Sequence, residues 1–367
     1  MSDYTNPALI VETSNTEAGR IRWTSPSNIA LIKYWGKHGK QLPQNPSISF
    51  TLDRALTDTT LSWEPKSGVD KGFELEFLFD GEEKLEFKEK VQGFLESLNE
   101  VFPFLRQLHL KIDTRNSFPH SAGIASSASA MSALSLCLCS LEHELFGTLE
   151  SDEAFQQKAS YISRLGSGSA CRSIYGGAAV WGKTSSVEGS SDEFAVEVTP
   201  MVEETFRNFF DSILIVSKSE KSVSSRAGHA LMDGNPFSQA RYQQARQRLD
   251  LLIGFMEKGD LEGFGRIVEN EALTLHALMM ASNPSYLLME PNTLAIIQKV
   301  RAFRKETNTP VYFTLDAGPN IHLLYPASVR NNVVPFIIEE LVPLCQDEMW
   351  IDDRVGVGPV EQDLDED

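Results

Sequence analysis

The sequence predicts an α+β protein built as two domains, and three observations carry that expectation. First, 367 residues exceed the usual size of one hydrophobic core, while 41% hydrophobic and 23% charged residues are ordinary for a folded chain. Second, alternating apolar runs that suit strands and apolar spacings of three and four that suit helices occur in both halves. Third, from about residue 206 long helical stretches take over. The expected division is a polar lead-in over 1–20, a first domain over 21–205, a second over 206–360 and an acidic tail over 361–367.

The elements follow in order. Residues 1–20 read as a loose polar lead-in, and from Ile21 to Arg54 short apolar segments alternate with Gly, Pro and Ser breaks. Thr59–Trp63 and Phe73–Phe77 alternate as strands do, 84–102 reads as a helix and His109–Asp113 as a strand. After a loop over Asn116–Ala125, the apolar residues Ala128, Met131, Leu134, Leu138, Leu141 and Leu145 mark the clearest helix, which Gly147 stops. A helix near 152–165 runs into Gly166-Ser167-Gly168-Ser169; Gly177–Trp181 reads as a buried strand and 184–192 as a polar loop. Beyond 206 come a strand at Ser212–Val216, helices near 236–258, 261–281 and 291–305, and a strand at Val311–Leu315. An Asp-Ala-Gly-Pro-Asn turn, a strand at Ile321–Tyr325 and a helix near 328–345 complete the chain.

A net charge of −18 argues against a surface that grips nucleic-acid phosphates broadly. Glu361, Asp363, Asp365, Glu366 and Asp367 concentrate part of it at the end. No apolar stretch approaches the roughly 20 residues that cross a bilayer, and the first residues lack a basic-then-apolar signal pattern. The four cysteines form no CxxC pair or disulfide framework, and Pro46 and Pro284 disqualify the two Asn-x-Ser matches. The expected compartment is the cytoplasm. The seven histidines show no metal-ligand spacing, so any metal is expected to arrive on a nucleotide rather than in a protein cage.

Several segments carry chemistry. Ser121-Ala122-Gly123-Ile124-Ala125-Ser126-Ser127-Ala128-Ser129 opens the long helix with small and hydroxylic residues. Unpaired N–H groups of a first turn, Ser hydroxyls and the positive helix end together suit phosphate oxygens. A Ser-capped helix packed closely on its neighbours explains the same residues. Gly166-Ser167-Gly168-Ser169-Ala170-Cys171-Arg172-Ser173 is a second such loop with a fixed cation. The planar Arg fork matches a carboxylate or phosphate, which favours an anion site over a linker. Asp316, before a Gly-Pro turn and between two apolar strands, is either a turn-former or a buried acid/base. Lys33 and Lys37 flank Tyr34, Trp35 and Gly36, and Ser225-Arg226 pairs a hydroxyl with a cation.

Other features read as structural. Gly177 to Thr184 fits a Walker A spacing, but its interior is strand-like and no helix follows, so the match is accidental. His276 reads as a satisfied buried histidine, and Cys171 as a small packing residue.

Together the segments resemble the diphosphomevalonate decarboxylase branch of the GHMP kinase superfamily. The matching text is Asn28 to Lys37, Leu42 to Leu52, Phe118 to Ser129, Gly166 to Ser173, Val223 to Gly228 and Leu315 to Asn320, in the family's order. The resemblance implies a GHMP kinase-like fold with an active-site cleft between the domains, ATP and Mg2+ as cofactors, and a homodimer. It implies that ATP phosphorylates the tertiary 3-hydroxyl of mevalonate 5-diphosphate, after which phosphate and CO2 leave to give isopentenyl diphosphate. It implies roles as well. Asp316 would remove or orient the hydroxyl proton, Lys33 would keep that carboxylate ionised, and Arg172 would bind the departing carboxylate. Tyr34, Lys37, Ser167, Ser169, Ser225 and Arg226 match positions lining the substrate. Ser121, Gly123, Ser126, Ser127 and Ser129 match the ATP-phosphate loop, with Ser127 facing the transferred group. His120-Ser121 stands where the family carries Thr-Ala, and Leu315 where it carries Phe. The alternative is a same-fold 3-kinase, or a phosphomevalonate decarboxylase acting on a less phosphorylated substrate.

Overall fold

The computed structural model describes residues 4–66, 72–118, 126–219 and 223–363. The first half is a sheet with helices on one face. Its strands are β1 (Gly19–Ile32), β2 (Ser47–Pro65), β3 (Glu74–Phe79), β4 (Leu108–Asn116), β5 (Ala178–Trp181) and β6 (Ala195–Glu197). The helices are α1 (Leu85–Ser97), α2 (Ser126–Phe146) and α3 (Asp152–Gly166). The order β1–β2–β4–β3 is antiparallel except for the parallel β3–β4 pair, and β5 continues from the first part of β2 with β6 beside it.

The burial pattern of β2 shows where the halves meet. From Ala55 to Trp63 buried and partly exposed residues alternate, as in a strand covered on one face. From Ser47 to Leu52 every residue is buried. There Ile48, Phe50 and Leu52 share a core with Phe206, Phe209 and Phe264 of the second half. Doubly covered sheet is what turns an alternating strand into a continuous apolar run.

The second half holds β7 (Phe209–Leu214), α4 (Ser225–Ala230), α5 (Ser238–Lys258), α6 (Leu261–Met280) and α7 (Pro291–Thr307). After them come β8 (Tyr312–Thr314), β9 (Ile321–Pro326), α8 (Arg330–Phe336), β10 (Trp350–Arg354) and β11 (Val360–Glu361). Its antiparallel sheet has the order β8–β9–β7–β10. β11 returns to the first sheet and pairs with β1 through Trp23 and Thr24. The buried Asp353 carboxylate of β10 accepts the backbone N–H groups of Asp53, Arg54 and Ala55 on β2, a second tie between the halves.

Four expectations change. The lead-in is packed rather than loose, because Leu9 and Val11 are buried in the first core and Trp63 Nε1–H donates to the Glu17 carbonyl. The expected helix near 328–345 breaks into α8, a π turn over Ile337–Leu341 and a 3-10 turn over Val342–Leu344. Pro335 and Pro343 lack the N–H groups that a continuous α-helix would need. Gly168–Ile174, most of it within the expected loop over 166–173, is a largely buried 3-10 turn. Glu361, assigned to the tail, lies in β11, and residues 364–367 fall outside the described residues.

Candidate active site

Lys33 follows directly on β1 and is buried. Its Nζ donates to the Ala30 carbonyl at 2.6 Å and to Asp316 Oδ1 at 3.0 Å. Asp316 begins the turn between β8 and β9, which projects the carboxylate from the second half onto the lysine of the first. Its side chain keeps 28% exposure against 2% for Lys33, so the acid reaches the cavity while the ammonium lies beneath it. Burial draws the Lys33 ammonium below its usual range, against the pull of Asp316. His276 Nε2–H donates to the Asp316 carbonyl at 3.1 Å and fixes the turn from α6.

Lys33 is also held through its backbone. Its N–H donates to Glu271 Oε2 at 3.0 Å, and Arg241 Nη2 lies 3.3 Å from its carbonyl. Glu271 and Arg241 form a buried bidentate pair at 2.8 and 2.5 Å, and Arg248 adds a third contact at 2.8 Å. The second half thus clamps the peptide that carries the lysine.

Arg172 is fully buried on the 3-10 turn. Its Nε donates to Ser49 at 2.9 Å, Nη1 to Ser47 at 2.6 Å and Nη2 to Asn28 Oδ1 at 3.2 Å. A guanidinium carries five N–H donors, and these bonds use one on each nitrogen. One N–H on each Nη takes no part in these three bonds. Asn28 also donates to Ser173 and to the Ser169 carbonyl, joining the turn to β1.

One cavity of about 270 Å³ gathers Lys33, Tyr34, Lys37, Ser127, Ser167, Ser169, Arg172, Ser225, Arg226 and Asp316. Thus residues separated by up to 283 positions in sequence share one space. The Tyr34 hydroxyl is buried without a hydrogen-bond partner among the described residues, as a group awaiting a ligand would be. Lys37 donates to Gln41 Oε1 at 2.8 Å, and burial and then Arg226 lower its pKa.

A neighbouring cavity of about 530 Å³ is mainly apolar, with Phe77, Phe79, Phe87 and Met131 among its walls and Asn116 and Thr114 as polar points. Ser127 and Ser225 line both cavities, and Ser126 lines the apolar one. The Ser127 and Ser167 hydroxyls are 3.2 Å apart, which brings the start of α2 against the second loop. Ser129 requires a correction. Its side chain is buried, accepts from Thr57 Oγ1 at 2.6 Å and donates to the Ser126 carbonyl, so it packs α2 onto β2 instead of facing a phosphate. Ser121, Gly123 and His120 lie outside the described residues.

The cavity also exposes what the sequence reading passed over. His229 lines it, three positions after Arg226 on α4. That spacing puts two side chains on one helix face and was the available signal.

A sequence profile described as the diphosphomevalonate decarboxylase-like N-terminal domain matches residues 25–195. A second, the mevalonate 5-diphosphate decarboxylase C-terminal domain, matches residues 212–359. The chain belongs to the diphosphomevalonate decarboxylase family. A diphosphomevalonate decarboxylase of Ganoderma lucidum is 32% identical over 333 residues, 86% of this chain and 80% of its own length. That of Candida albicans is 30% identical over 367 residues, covering 92% of this chain and 96% of its own. The mevalonate diphosphate decarboxylase of Staphylococcus aureus superposes with a TM-score of 0.79 at 26% identity, over 96% of this chain and 100% of that one. The Enterococcus faecalis structure, described by a mevalonate diphosphate-mediated ATP-binding mechanism, gives 0.78 at 28% over 94% and 99%. The two-domain fold of the decarboxylase family is therefore the fold of this chain. Among the described residues, no helix is long and apolar enough to cross a membrane.

Proposed function

We propose that the chain is an ATP-dependent carboxy-lyase that converts mevalonate 5-diphosphate to isopentenyl diphosphate, with ADP, phosphate and CO2 as the other products. The observation that carries this reading is Asp316, half-sheltered and paired with buried Lys33, in one cavity with the two spare N–H groups of Arg172. The family membership of both halves supports it.

The chemistry follows from the groups present. A tertiary hydroxyl leaves poorly as hydroxide and well as phosphate. Asp316 orients the 3-hydroxyl and takes its proton as the oxygen attacks the γ-phosphorus and the bond from that phosphorus to the leaving ADP breaks. Lys33 holds the carboxylate in place and offsets charge that builds on the transferring group. Departure of phosphate leaves cationic character at C3, which the electrons of the breaking C–CO2 bond neutralise. Arg172, anchored by Ser47, Ser49 and Asn28, holds the carboxylate aligned with that developing orbital. Lys37, Arg226, Ser167 and Ser169 would then take the diphosphate end.

The apolar cavity suits a nucleobase, with Ser126 and Ser127 at the passage toward the polar cavity. Among the described residues no group of three or more His, Cys, Asp or Glu is placed to hold a metal. The hydroxyls at that passage are what a nucleotide-borne magnesium ion would meet. When bound, magnesium neutralises charge on the transferring phosphates. The domain division at 205/206, the homodimer and the cytoplasmic compartment belong to the same reading; sedimentation of the purified protein tests the dimer.

A substrate panel tests the function. With ATP and Mg2+, the reading expects CO2 from mevalonate 5-diphosphate and little from mevalonate or its monophosphate. Preferential turnover of a less phosphorylated substrate would replace it with the alternative.

A further inference from the structure

His229 sits in the polar cavity with its ring against Tyr34 and Trp35, at centroid separations of 4.4 and 4.6 Å. The Gly36 N–H donates to its Nδ1 at 3.0 Å. Gly36 is itself fixed. Its φ of +95° lies in the left-handed region, and a Cβ there would come 2.2 Å from the Tyr242 hydroxyl. This hydrogen bond assigns the tautomer. Because Nδ1 accepts, a neutral ring carries its proton on Nε2. That nitrogen makes no hydrogen bond among the described residues, and the side chain lines the cavity.

We propose that His229 is a specificity-determining residue, a neutral donor whose Nε2–H binds the terminal phosphoryl group of the substrate beside Lys37 and Arg226. The assignment rests on the decarboxylase reading for the identity of that substrate. Burial, and then the nearby Lys37, lower the pKa of His229 to about 3. The ring therefore remains uncharged across the neutral range, and it adds a directed donor where Lys37 and Arg226 add charge. A donor placed for the second phosphoryl group favours a diphosphate over a monophosphate. A site that hydrogen-bonds a substrate group rejects the analogue lacking it more strongly than an apolar pocket can.

Two isosteres separate this role from a structural one. In His229→Asn the amide oxygen falls near the Nδ1 position, keeping an acceptor for Gly36, and no donor reaches the Nε2 position. In His229→Gln the amide nitrogen falls near Nε2 and restores the donor. Calorimetric Kd values for mevalonate 5-diphosphate and mevalonate 5-phosphate, without ATP, give the readout. Loss of a hydrogen bond to a charged group predicts about a tenfold or greater weakening for the diphosphate in the Asn variant. Monophosphate binding shifts less than threefold, and Gln recovers most of the diphosphate affinity. In steady-state assays the Asn variant raises KM for the diphosphate with a much smaller fall in kcat. Wild-type diphosphate affinity in the Asn variant, or equal losses for both ligands, overturns the assignment. Binding of the diphosphate by wild-type protein without turnover would instead refute the decarboxylase reading and leave the test of His229 intact.

Discussion

Glu271→Gln perturbs the device that holds Lys33. Glu271 is fully buried and its two oxygens serve Arg241 twice, Arg248 once and the Lys33 N–H once. Glutamine keeps the shape, but it replaces one acceptor oxygen with a donor that faces guanidinium donors. It also leaves Arg241 buried and 1% exposed without its counter-charge. Removing one member of a buried ion pair costs about 3–5 kcal/mol, so the denaturant midpoint should fall sharply. Lys33 loses its backbone anchor at the same time, and displacement of a reacting group by about 1 Å can cost about 100-fold in rate. The expected result under conditions where the variant remains folded is a large fall in kcat, with KM for ATP nearly kept.

Acid unfolding supplies the sign. Burial pushes the Glu271 carboxyl up, but Arg241 and Arg248 outweigh it and hold its pKa below the ordinary 4.5. Stability from this ionised group is present above that value and is lost as pH falls through the lower folded-state pKa. The variant should therefore lose less stability than wild type on acidification below about pH 4.5. An unchanged denaturant midpoint, or full kcat in the folded variant, would refute the clamp.

Three further outcomes follow. Asp316→Asn should reduce kcat by about 100- to 10,000-fold with substrate binding largely kept, as for a lost base; near-normal turnover would show that another group takes the proton. Arg172→Lys should impair turnover although charge is kept, because an ammonium cannot replace a fork that also anchors Ser47, Ser49 and Asn28; a wild-type rate would remove Arg172 from the site. Gly36→Ala should cost about 1–3 kcal/mol from its positive φ alone, with more from the Tyr242 contact, and should weaken diphosphate binding by displacing His229; thermal denaturation and substrate titration read both effects.

Much of the architecture was legible because its signals are local. The spacings from Ala128 to Leu145 give α2 directly. The strand-like interior of Gly177–Trp181 separates that stretch from a phosphate loop, and β5 followed by a turn is what the structure holds. The motif residues around Lys33, Arg172 and Asp316 meet in one cavity because a GHMP-like chain brings their three loops together. The clamp was not legible. Glu271 announces itself only as an acid on the apolar face of α6, and its partners Arg248, Arg241 and Lys33 lie 23, 30 and 238 residues away. β10 was missed because its acidic residues hide a strand; Asp353 is buried only because backbone donors of β2 receive it. Ser129 misled for the opposite reason, since a hydroxyl in a phosphate-like motif also serves close helix–sheet packing.

The most direct test of the central claim is the ratio of CO2 released to ADP formed when the purified protein meets mevalonate 5-diphosphate, ATP and Mg2+. The account predicts one CO2 and one isopentenyl diphosphate for each ADP. ADP formed with accumulation of the 3-phosphorylated substrate and no CO2 would contradict it.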